Sequence, residues 1–392
     1  MKTILKTMAL LLAATAVSQA GTYYVATGGS DSNPGTQSQP FQTVSHAAGV
    51  VSAGDTVIVE NGTYNETIVE NASGTSSAPI TIQAQNQWGA VIAPSGSGEI
   101  ISVNGSYVTI ENFEIIGNSG GTNNDGIKFQ YPGTGGHAIG NKIHNIGTGN
   151  CTGGAPIITA QTSSVINANF LYDYGFSGCN QYEGIYINDG NGQTVTNNLI
   201  GNGIGGNGAA TIGIQINGQE AQTATFPSNE TVTNNTLFNL SGWGTLWACW
   251  STPSAHNCSN NKFNNNILYT TGTNGISGSV RTANNGGTFD STNSWSNNLI
   301  FNSGSPSMDA VSLTNTITSD PLFVNYQANG SGNYQLQTSS PAIGAGTSTG
   351  APSTDFAGNQ RTPPIWAGAY QSGSSTSSSA PNPPTGLAAT VN

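Results

Sequence analysis

Two interleaved motifs recur along this chain with a shared period of about 30 residues. The first motif is Asn-x-(Ile/Leu)-x-(Asn/Asp/Thr), and its successive starts differ by 28, 29, 37, 31 and 32 residues. Glu111 begins a weaker copy, 30 residues before Asn141. A unit of this length cannot bury its apolar face alone, so repeated units must stack. The starts are Asn141, Asn169, Asn198, Asn235, Asn266 and Asn298.

The second motif is a short apolar strand that keeps the same phase. Its starts differ by 29, 29, 29, 31 and 31 residues. Two series with one period predict a solenoid whose like residues lie about 4.8 Å apart, the spacing of hydrogen-bonded strands. Apolar columns such as Ile143, Leu171 and Ile200 then form a continuous core, and the asparagines form amide ladders at a bend. The starts are Gly126, Ala155, Gly184, Gly213, Gly244 and Gly275.

These observations predict an all-β fold, a right-handed parallel β-helix. The right hand is the one expected for crossovers between parallel strands. A β-sandwich with strands every 8–12 residues is the competing interpretation. It explains neither the shared phase nor the asparagine column.

The cysteines provide a test of the register. Cys151 and Cys179 each lie ten residues after an Asn start, so they should be stacked neighbours within disulfide range. Cys249 and Cys258 are nine positions apart, and the short stretch between them is typical of an inserted loop. We expect the disulfides Cys151–Cys179 and Cys249–Cys258, with four free buried thiols as the alternative.

Composition excludes several classes of function. Only 6% of the residues are charged, and the formal net charge is −11. Lys2 and Lys6 precede a short apolar stretch and the small residues Ser18-Gln19-Ala20, which is the pattern of a secretory signal peptide. We therefore expect a secreted, extracellular or cell-surface protein that is monomeric and has no membrane span. The few cations do not favour nucleic-acid binding, because neutralising phosphates requires clustered Lys and Arg.

The two ends resemble those of secreted right-handed β-helix proteins, including a family of pectate lyases and several glycoside hydrolases. The strings that carry the resemblance are YYVATGGSDSNPGT, PFQTVSHAA, GDTVIVENGTYNETI and SSAPITIQA at the start, then SDPLFVN, YQLQTSSPAIGAGT, DFAGNQR and WAGAY. A short helix over Phe41–Val51 is expected to cap the first coil. Asp355 and Arg361 belong to the closing strings, so we expect them to be structural.

The expected organisation has five parts. Residues 1–20 are the signal peptide, and 21–100 are the cap and first coils. Residues 101–303 are the β-helix coils, and 304–371 are the last coils and closing motif. Residues 372–392 are a Ser/Pro-rich linker or tail.

Polar side chains on the outward face of the second series form the expected polysaccharide-binding groove. Alternation points Ile127 and Phe129 inward and Lys128 and Gln130 outward. Asp125 and Glu183 share a column two coils apart, roughly 10 Å. The other expected substrate-binding residues are Tyr131, Tyr182, Tyr186, Asn188, Gln215, Asn217 and Trp247.

The first functional hypothesis is a polysaccharide lyase acting on a uronic-acid-containing glycan by β-elimination. Such a reaction needs a group that neutralises the uronate carboxylate, often Ca²⁺, and a base that removes the adjacent C–H proton. Lys128 would be the base, and Asp125, Glu183 and Asp189 would hold the Ca²⁺. NNDGIKF is similar to the Asn-Gly-Phe-Lys context of the catalytic lysine in one pectate lyase family, although the aspartate cluster that precedes that lysine is missing here.

Two alternatives remain. In an inverting glycoside hydrolase on a neutral glycan, Asp125 and Glu183 would be acid and base, because roughly 10 Å is at the long edge of the inverting range. A non-catalytic glycan-binding or adhesive solenoid would fit the small number of charges and the trailing linker. A solvated ion pair of Asp125 with Lys128 needs no function at all.

Overall fold

The chain forms a parallel β-solenoid built from three long sheets of nine, eight and nine strands. The computed structural model describes residues 20–371, except 119, 121, 150, 152, 180–181, 189–190, 206–210, 218–226, 250–256, 274–277, 285 and 310. The expected signal peptide and the tail therefore lie essentially outside the described residues, as do Asp189 and Gly275. No helix within the described part is long and apolar enough for a membrane crossing.

Most strands are short, and they alternate with bends. In chain order the strands are β1 Thr22–Val25, β2 Thr56–Val59, β3 Gly62–Tyr64, β4 Ile68–Glu70, β5 Ile80–Ala84, β6 Ala90–Ile92, β7 Glu99–Val103, β8 Val108–Glu111, β9 Glu114–Ile116, β10 Asp125–Phe129, β11 His137–Ile139, β12 Lys142–Ile146, β13 Ile157–Thr159, β14 Val165–Asn167 and β15 Phe170–Tyr174. They continue as β16 Tyr182–Ile187, β17 Thr194–Thr196, β18 Leu199–Gly203, β19 Thr211–Asn217, β20 Thr231–Thr233, β21 Thr236–Leu240, β22 Thr245–Ala248, β23 Asn257–Cys258, β24 Lys262–Asn264, β25 Ile267–Thr271, β26 Val280–Ala283, β27 Thr288–Phe289, β28 Leu299–Phe301, β29 Phe323–Asn325 and β30 Asn333–Leu336.

Each turn contributes one strand to each of the three sheets. The first sheet is β1-β2-β5-β8-β11-β14-β17-β20-β24. The second sheet is β4-β7-β10-β13-β16-β19-β22-β26, and the third sheet is β3-β6-β9-β12-β15-β18-β21-β25-β28. Inward side chains meet between the sheets, and the predicted column of Ile143, Leu171 and Ile200 is fully buried and paired in register. The predicted parallel stacking is confirmed.

The asparagine column forms a buried ladder at the bend between the first and third sheets. The side-chain oxygen of Asn198 accepts from the backbone N and Nδ2 of Asn169 at 2.9 and 3.0 Å. The Nδ2 of Asn198 donates to Asn235 Oδ1 and to the Ile166 carbonyl. The ladder continues from Asn141 to Asn298, so the asparagine side chain of each turn satisfies backbone groups in the bend of the preceding turn.

A second buried ladder, which the motif search missed, runs beside the first sheet. It passes from the N–H of Ser164 to Gln193, then to Glu230 and Asn261, each backbone N donating to the next side-chain oxygen. A search for one repeated residue type cannot find this column, because its members are of different types. Burial raises the pKa of Glu230 well above its ordinary value.

Three predicted motif starts were wrong by one register step or more. Phe113, not Glu111, precedes Asn141 in the ladder, because Glu114 pairs with Lys142. Ile127 pairs with Ile157, so Pro156 rather than Ala155 stands level with Gly126. Thr245 pairs with Val280, so Ser279 rather than Gly275 stands level with Gly244. Because the loops between strands differ in length, the motif spacing in the sequence does not match the pairing of the strands.

The predicted capping helix exists but is shorter than expected. It is α1, Val44–Val50, rather than Phe41–Val51. Thr43 Oγ1 accepts from the N–H of His46, and the carboxylate of Glu66 accepts from the N–H groups of Val44 and Ser45. These contacts satisfy donors that a helix N-terminus leaves free. Its buried face covers the apolar end of the first turns.

Both predicted disulfides are present. Cys151 and Cys179 have Cα atoms 5.3 Å apart, and those of Cys249 and Cys258 are 6.1 Å apart. The first bond joins adjacent coils, which confirms the register argument. The second joins Cys249, which directly follows β22, to Cys258 in β23.

The closing segment folds back onto the outer face of the third sheet. Its antiparallel hairpin β29–β30 places Tyr334 against Phe238, with ring centroids 4.2 Å apart. Arg361 is buried and donates to Asn197 and to the carbonyls of Gly368 and Ala369. The Asp355 carboxylate accepts from nearby backbone N–H groups, so the contacts of both residues are those of structural groups.

We predict that Asn198→Leu lowers the free energy of unfolding by about 3 kcal/mol, because it leaves several buried ladder groups without partners. Guanidinium denaturation measures the effect. Asn229→Gly is the matched control, since Asn229 is an exposed ladder amide with a φ of 63° that glycine also adopts. The control should change stability by less than about 0.5 kcal/mol. Equal losses in the two variants would contradict a buried ladder as the source of stability.

Candidate functional site

The outer face of the second sheet carries the predicted polar positions. Ile127, Ile185 and Ile214 are fully buried, and their neighbours Lys128, Tyr186 and Gln215 point outward. These outward residues stand in one column, because Lys128 pairs with Ile158, Ile158 with Tyr186, and Tyr186 with Gln215. Strand alternation therefore predicted this face correctly.

Three acidic residues stand in a neighbouring column. Glu99 pairs directly with Asp125. Glu183 lies two rungs beyond Asp125, in step with the pairing of Ile127, Ile157 and Ile185. The motif search missed Glu99 because its coil is shorter than the later ones, and only the β7–β10 register reveals it.

Lys128 forms ion pairs with two of these acids. Its Nζ is 2.8 Å from Glu99 Oε1 and 3.5 Å from Asp125 Oδ2. Gln130 Nε2 donates to both oxygens of Glu99 and to the Ser102 hydroxyl. Gln130 therefore holds Glu99 in place, and its amide group is engaged within the protein.

These contacts set the protonation states. Burial alone lowers the pKa of Lys128, but the hydrogen bond from Lys128 to Glu99 and the charges of Asp125 and Glu99 raise it above its ordinary value. Burial would raise the pKa of Glu99, but Lys128 keeps it below the ordinary range. Lys128 is consequently a fixed cation at neutral pH.

The two more buried acids behave differently. Burial raises the pKa of Asp125, and the nearby Lys128 partly offsets the shift. Burial, with a smaller contribution from the charge of Asp125, raises the pKa of Glu183 to about 8. At neutral pH Glu183 is therefore protonated, which gives the site a proton donor.

A polar cavity of about 360 Å³ brings these groups together, and we call it the Lys128 pocket. Its wall also includes Gly153 and Gly154, close to Cys151, so the Cys151–Cys179 disulfide braces the adjoining loop. The predicted residues that line the pocket are Asp125, Lys128, Glu183, Tyr186, Gln215 and Asn217.

For two aromatic residues, the predicted sugar-binding role was wrong. Tyr182 and Trp247 have fully buried side chains and belong to the solenoid core. Trp247 packs edge-on against Trp295, with ring centroids 4.6 Å apart. Both lie at inward positions, which a count of nearby aromatic letters does not reveal. Tyr131 is 43% exposed beyond the end of β10, and Asn188 directly follows β16.

The calcium site remains a prediction. Among the described residues, no group of three or more His, Cys, Asp or Glu side chains has the spacing of a metal site. Lys128 Nζ lies between the carboxylates of Glu99 and Asp125. The lysine therefore already supplies the positive charge that a metal ion would bring to these two groups. Asp189, the third expected ligand, lies outside the described residues. With the lysine in this position, the carboxylates of Glu99 and Asp125 do not fit a Ca²⁺ site.

Residues 23–169 match the family model described as "Pel9A-like, right handed beta helix region". This stretch is therefore similar to a Pel9A-like β-helix region, and the match covers less than half of the chain. The match includes Asp125 and Lys128, and it agrees with the predicted right-handed coiling and with the resemblance to pectate-lyase-like β-helix proteins.

Other comparisons concern shorter or more distant similarity. The uncharacterized protein YwoF of Bacillus subtilis is 42% identical over 86 residues, which cover 22% of this chain and 17% of YwoF. A rhamnogalacturonan lyase structure is 20% identical, covers 72% of this chain and 68% of its own, and has a TM-score of 0.45. The structure of pectate lyase Pel9A is 16% identical, covers 91% of this chain and 97% of its own, and has a TM-score of 0.42.

We predict that Lys128→Met raises the pKa of both Glu99 and Asp125, because each carboxylate loses its neighbouring cation. Carbon-detected NMR titration of the side-chain carboxyls measures the shifts. Lys262→Met, which removes a cation from the first sheet, should leave both values in place. Unchanged values in Lys128→Met would show that the ion pairs do not exist in solution.

Proposed function

We propose that this protein is a secreted enzyme that cleaves a polysaccharide in the Lys128 pocket, with Glu183 as the proton donor to the departing glycosidic oxygen. The observation that carries the proposal is the position of Glu183, a buried carboxyl group in the wall of a polar cavity, where burial raises its pKa to about 8. A general acid works best when its pKa lies near the working pH. The two disulfides fit an oxidising, extracellular compartment.

The charges in the pocket favour inverting hydrolysis of a neutral glycan. Glu183 would protonate the glycosidic oxygen as the bond from that oxygen to the anomeric carbon breaks. Asp125 would take a proton from the water that attacks that carbon from the opposite face. Two rungs separate these acids, roughly 10 Å between their backbones, which leaves space for that water.

Lys128 and Glu99 support the base rather than act as the base. Lys128 Nζ lies beside Asp125 Oδ2, and the N–H of Ala155 donates to Asp125 Oδ1 at 3.3 Å. Both contacts stabilise the carboxylate form that a base requires. Lys128 is the only cation among the described residues that line the pocket, and Glu99 and Asp125 already balance its charge, so these residues offer no spare positive charge for a uronate.

The remaining polar side chains extend this site along the solenoid. Tyr186 and Gln215 follow Lys128 in the outward column, and Asn217 Nδ2 donates to the Tyr186 hydroxyl at 3.3 Å. Side chains repeated at strand spacing suit a ligand that is itself a repeating chain. We therefore assign these residues to substrate binding, with the polysaccharide lying across successive rungs.

β-Elimination from a uronic-acid-containing glycan is the second candidate, and one observation favours it. The Pel9A-like family match covers the strand that carries Lys128, the expected base. For this reaction Lys128 must give up its proton, against the effect of Glu99 and Asp125. A lyase would then depend on the substrate displacing those contacts, so that Lys128 could accept the C–H proton.

We predict that Glu183→Gln lowers kcat by about 10²–10⁴-fold on a cleaved polysaccharide, because the proton donor is lost. In the parent enzyme kcat/KM should fall as the pH rises through about 8, since the acid then ionises. The matched control is Glu111→Gln, a half-buried acid on the first sheet, which should retain both rate and pH profile. Full activity in Glu183→Gln would remove the proposed donor.

The products separate the two reactions. We expect new reducing ends of inverted configuration, seen by proton NMR of the first products, without the ultraviolet absorbance of an unsaturated uronate. Pectate, alginate and neutral glycans would be screened side by side. That absorbance, lost in Lys128→Ala, would instead establish elimination with Lys128 as base. Binding without cleavage of any polymer would favour the non-catalytic glycan-binding solenoid.

A further inference from the structure

A second cavity lies on the outer face of the third sheet, away from the Lys128 pocket. It has a volume of about 250 Å³ and lies where the turn between β29 and β30 covers β12 and β15. We call it the Trp88 cleft. Its walls are Trp88, Lys142, Phe170, Tyr172 and the turn residues 329–331.

The aromatic walls are held rigidly. Trp88 Nε1 donates to the Gly140 carbonyl at 2.8 Å, which fixes the indole. His144 stacks on Tyr172, with ring centroids 4.8 Å apart and planes 15° apart. The turn lies close to that ring, since a Cβ at Gly330 would stand 2.8 Å from Tyr172. Preformed aromatic surfaces of this kind lose little conformational entropy when a ligand binds.

The charged groups of the cleft neutralise one another. Glu114 Oε1 is 2.8 Å from Lys142 Nζ and 3.1 Å from His144 Nε2. The hydrogen bond from His144, followed by that from Lys142, lowers the pKa of Glu114 to about 2. Lys142 Nζ also lies 5.7 Å from the centre of the Trp88 ring. This balanced arrangement offers hydrogen bonds beside apolar faces without a strong net charge.

We propose that the Trp88 cleft is a second glycan-binding site, which holds a neutral pyranose ring of a polysaccharide without cleaving it. A pyranose has apolar C–H faces and a rim of hydroxyls, and aromatic walls with a few polar groups match both. The volume is below the range typical of drug-sized ligands, so it suits a single ring. The paired charges select against phosphate or carboxylate ligands.

No carboxylic acid is among the described residues that line the cleft, so it lacks the pair of carboxyl groups that glycoside hydrolysis uses, and we expect binding without cleavage. Glu114 is ionised throughout the neutral range, and its oxygen is already bound by Lys142 and His144. The Lys128 pocket is on a different sheet, so one polymer chain or two could occupy the sites together. The inference rests on the proposed function only for the choice of a glycan as the ligand class.

The test uses the full chain carrying Glu183→Gln, which prevents cleavage during titration. Calorimetry with cellohexaose, xylohexaose, mannohexaose and hexagalacturonate measures affinity and stoichiometry. We expect at least one neutral hexasaccharide to bind, and Tyr172→Leu to weaken a class of sites at least tenfold. Tyr269→Leu is the matched control, because Tyr269 occupies the same outward column three rungs away and does not line the cleft.

Several results would overturn the inference. These are identical isotherms for Tyr172→Leu and its parent, binding of hexagalacturonate alone, or no binding by any neutral probe. If Tyr172→Leu does not fold, as judged by circular dichroism, Lys142→Gln must weaken the same isotherm by at least threefold. Cleavage by the parent enzyme with no site sensitive to Tyr172 refutes this site alone. Tyr172-sensitive binding without cleavage refutes the proposed function alone.

Discussion

The stacking of successive turns in register is the constraint on which every other feature depends. Parallel strands satisfy their backbone groups only through the turns above and below, and the buried Asn169–Asn198–Asn235 ladder does the same for one bend. A polar amide inside the solenoid is stable only while its neighbours remain aligned, since an unpaired buried amide is costly. The ladder thus fixes the register as well as stabilising the turns.

Register converts distances along the chain into short distances in space, and this is how the Lys128 pocket forms. Glu99, Asp125 and Glu183 are far apart in sequence but occupy one column. Their environments differ because the exposed end of the column has a lysine and the buried end does not. A fixed ion pair and a protonated carboxyl therefore coexist within a few rungs.

The outer face of the third sheet shows how the closing segment adds a cleft to a regular scaffold. The hairpin β29–β30 covers apolar side chains such as Phe238, which would otherwise be exposed. Where the hairpin turn passes over Tyr172, the cover is incomplete and the Trp88 cleft remains. Buried Arg361 joins the closing segment to the turns through Asn197, and the Asp355 carboxylate accepts hydrogen bonds from the backbone of the segment itself.

The sequence by itself determined the repeat, the parallel solenoid, both disulfides and the outward position of Lys128, because these follow from period and alternation. Only the tertiary structure decided which residues lie level with one another in successive turns. It moved the start of the first copy from Glu111 to Phe113, placed Tyr182 and Trp247 in the core, and brought Glu99 to Lys128. The reason is physical: loops of unequal length change sequence spacing freely, whereas hydrogen bonding between strands admits only whole steps of register.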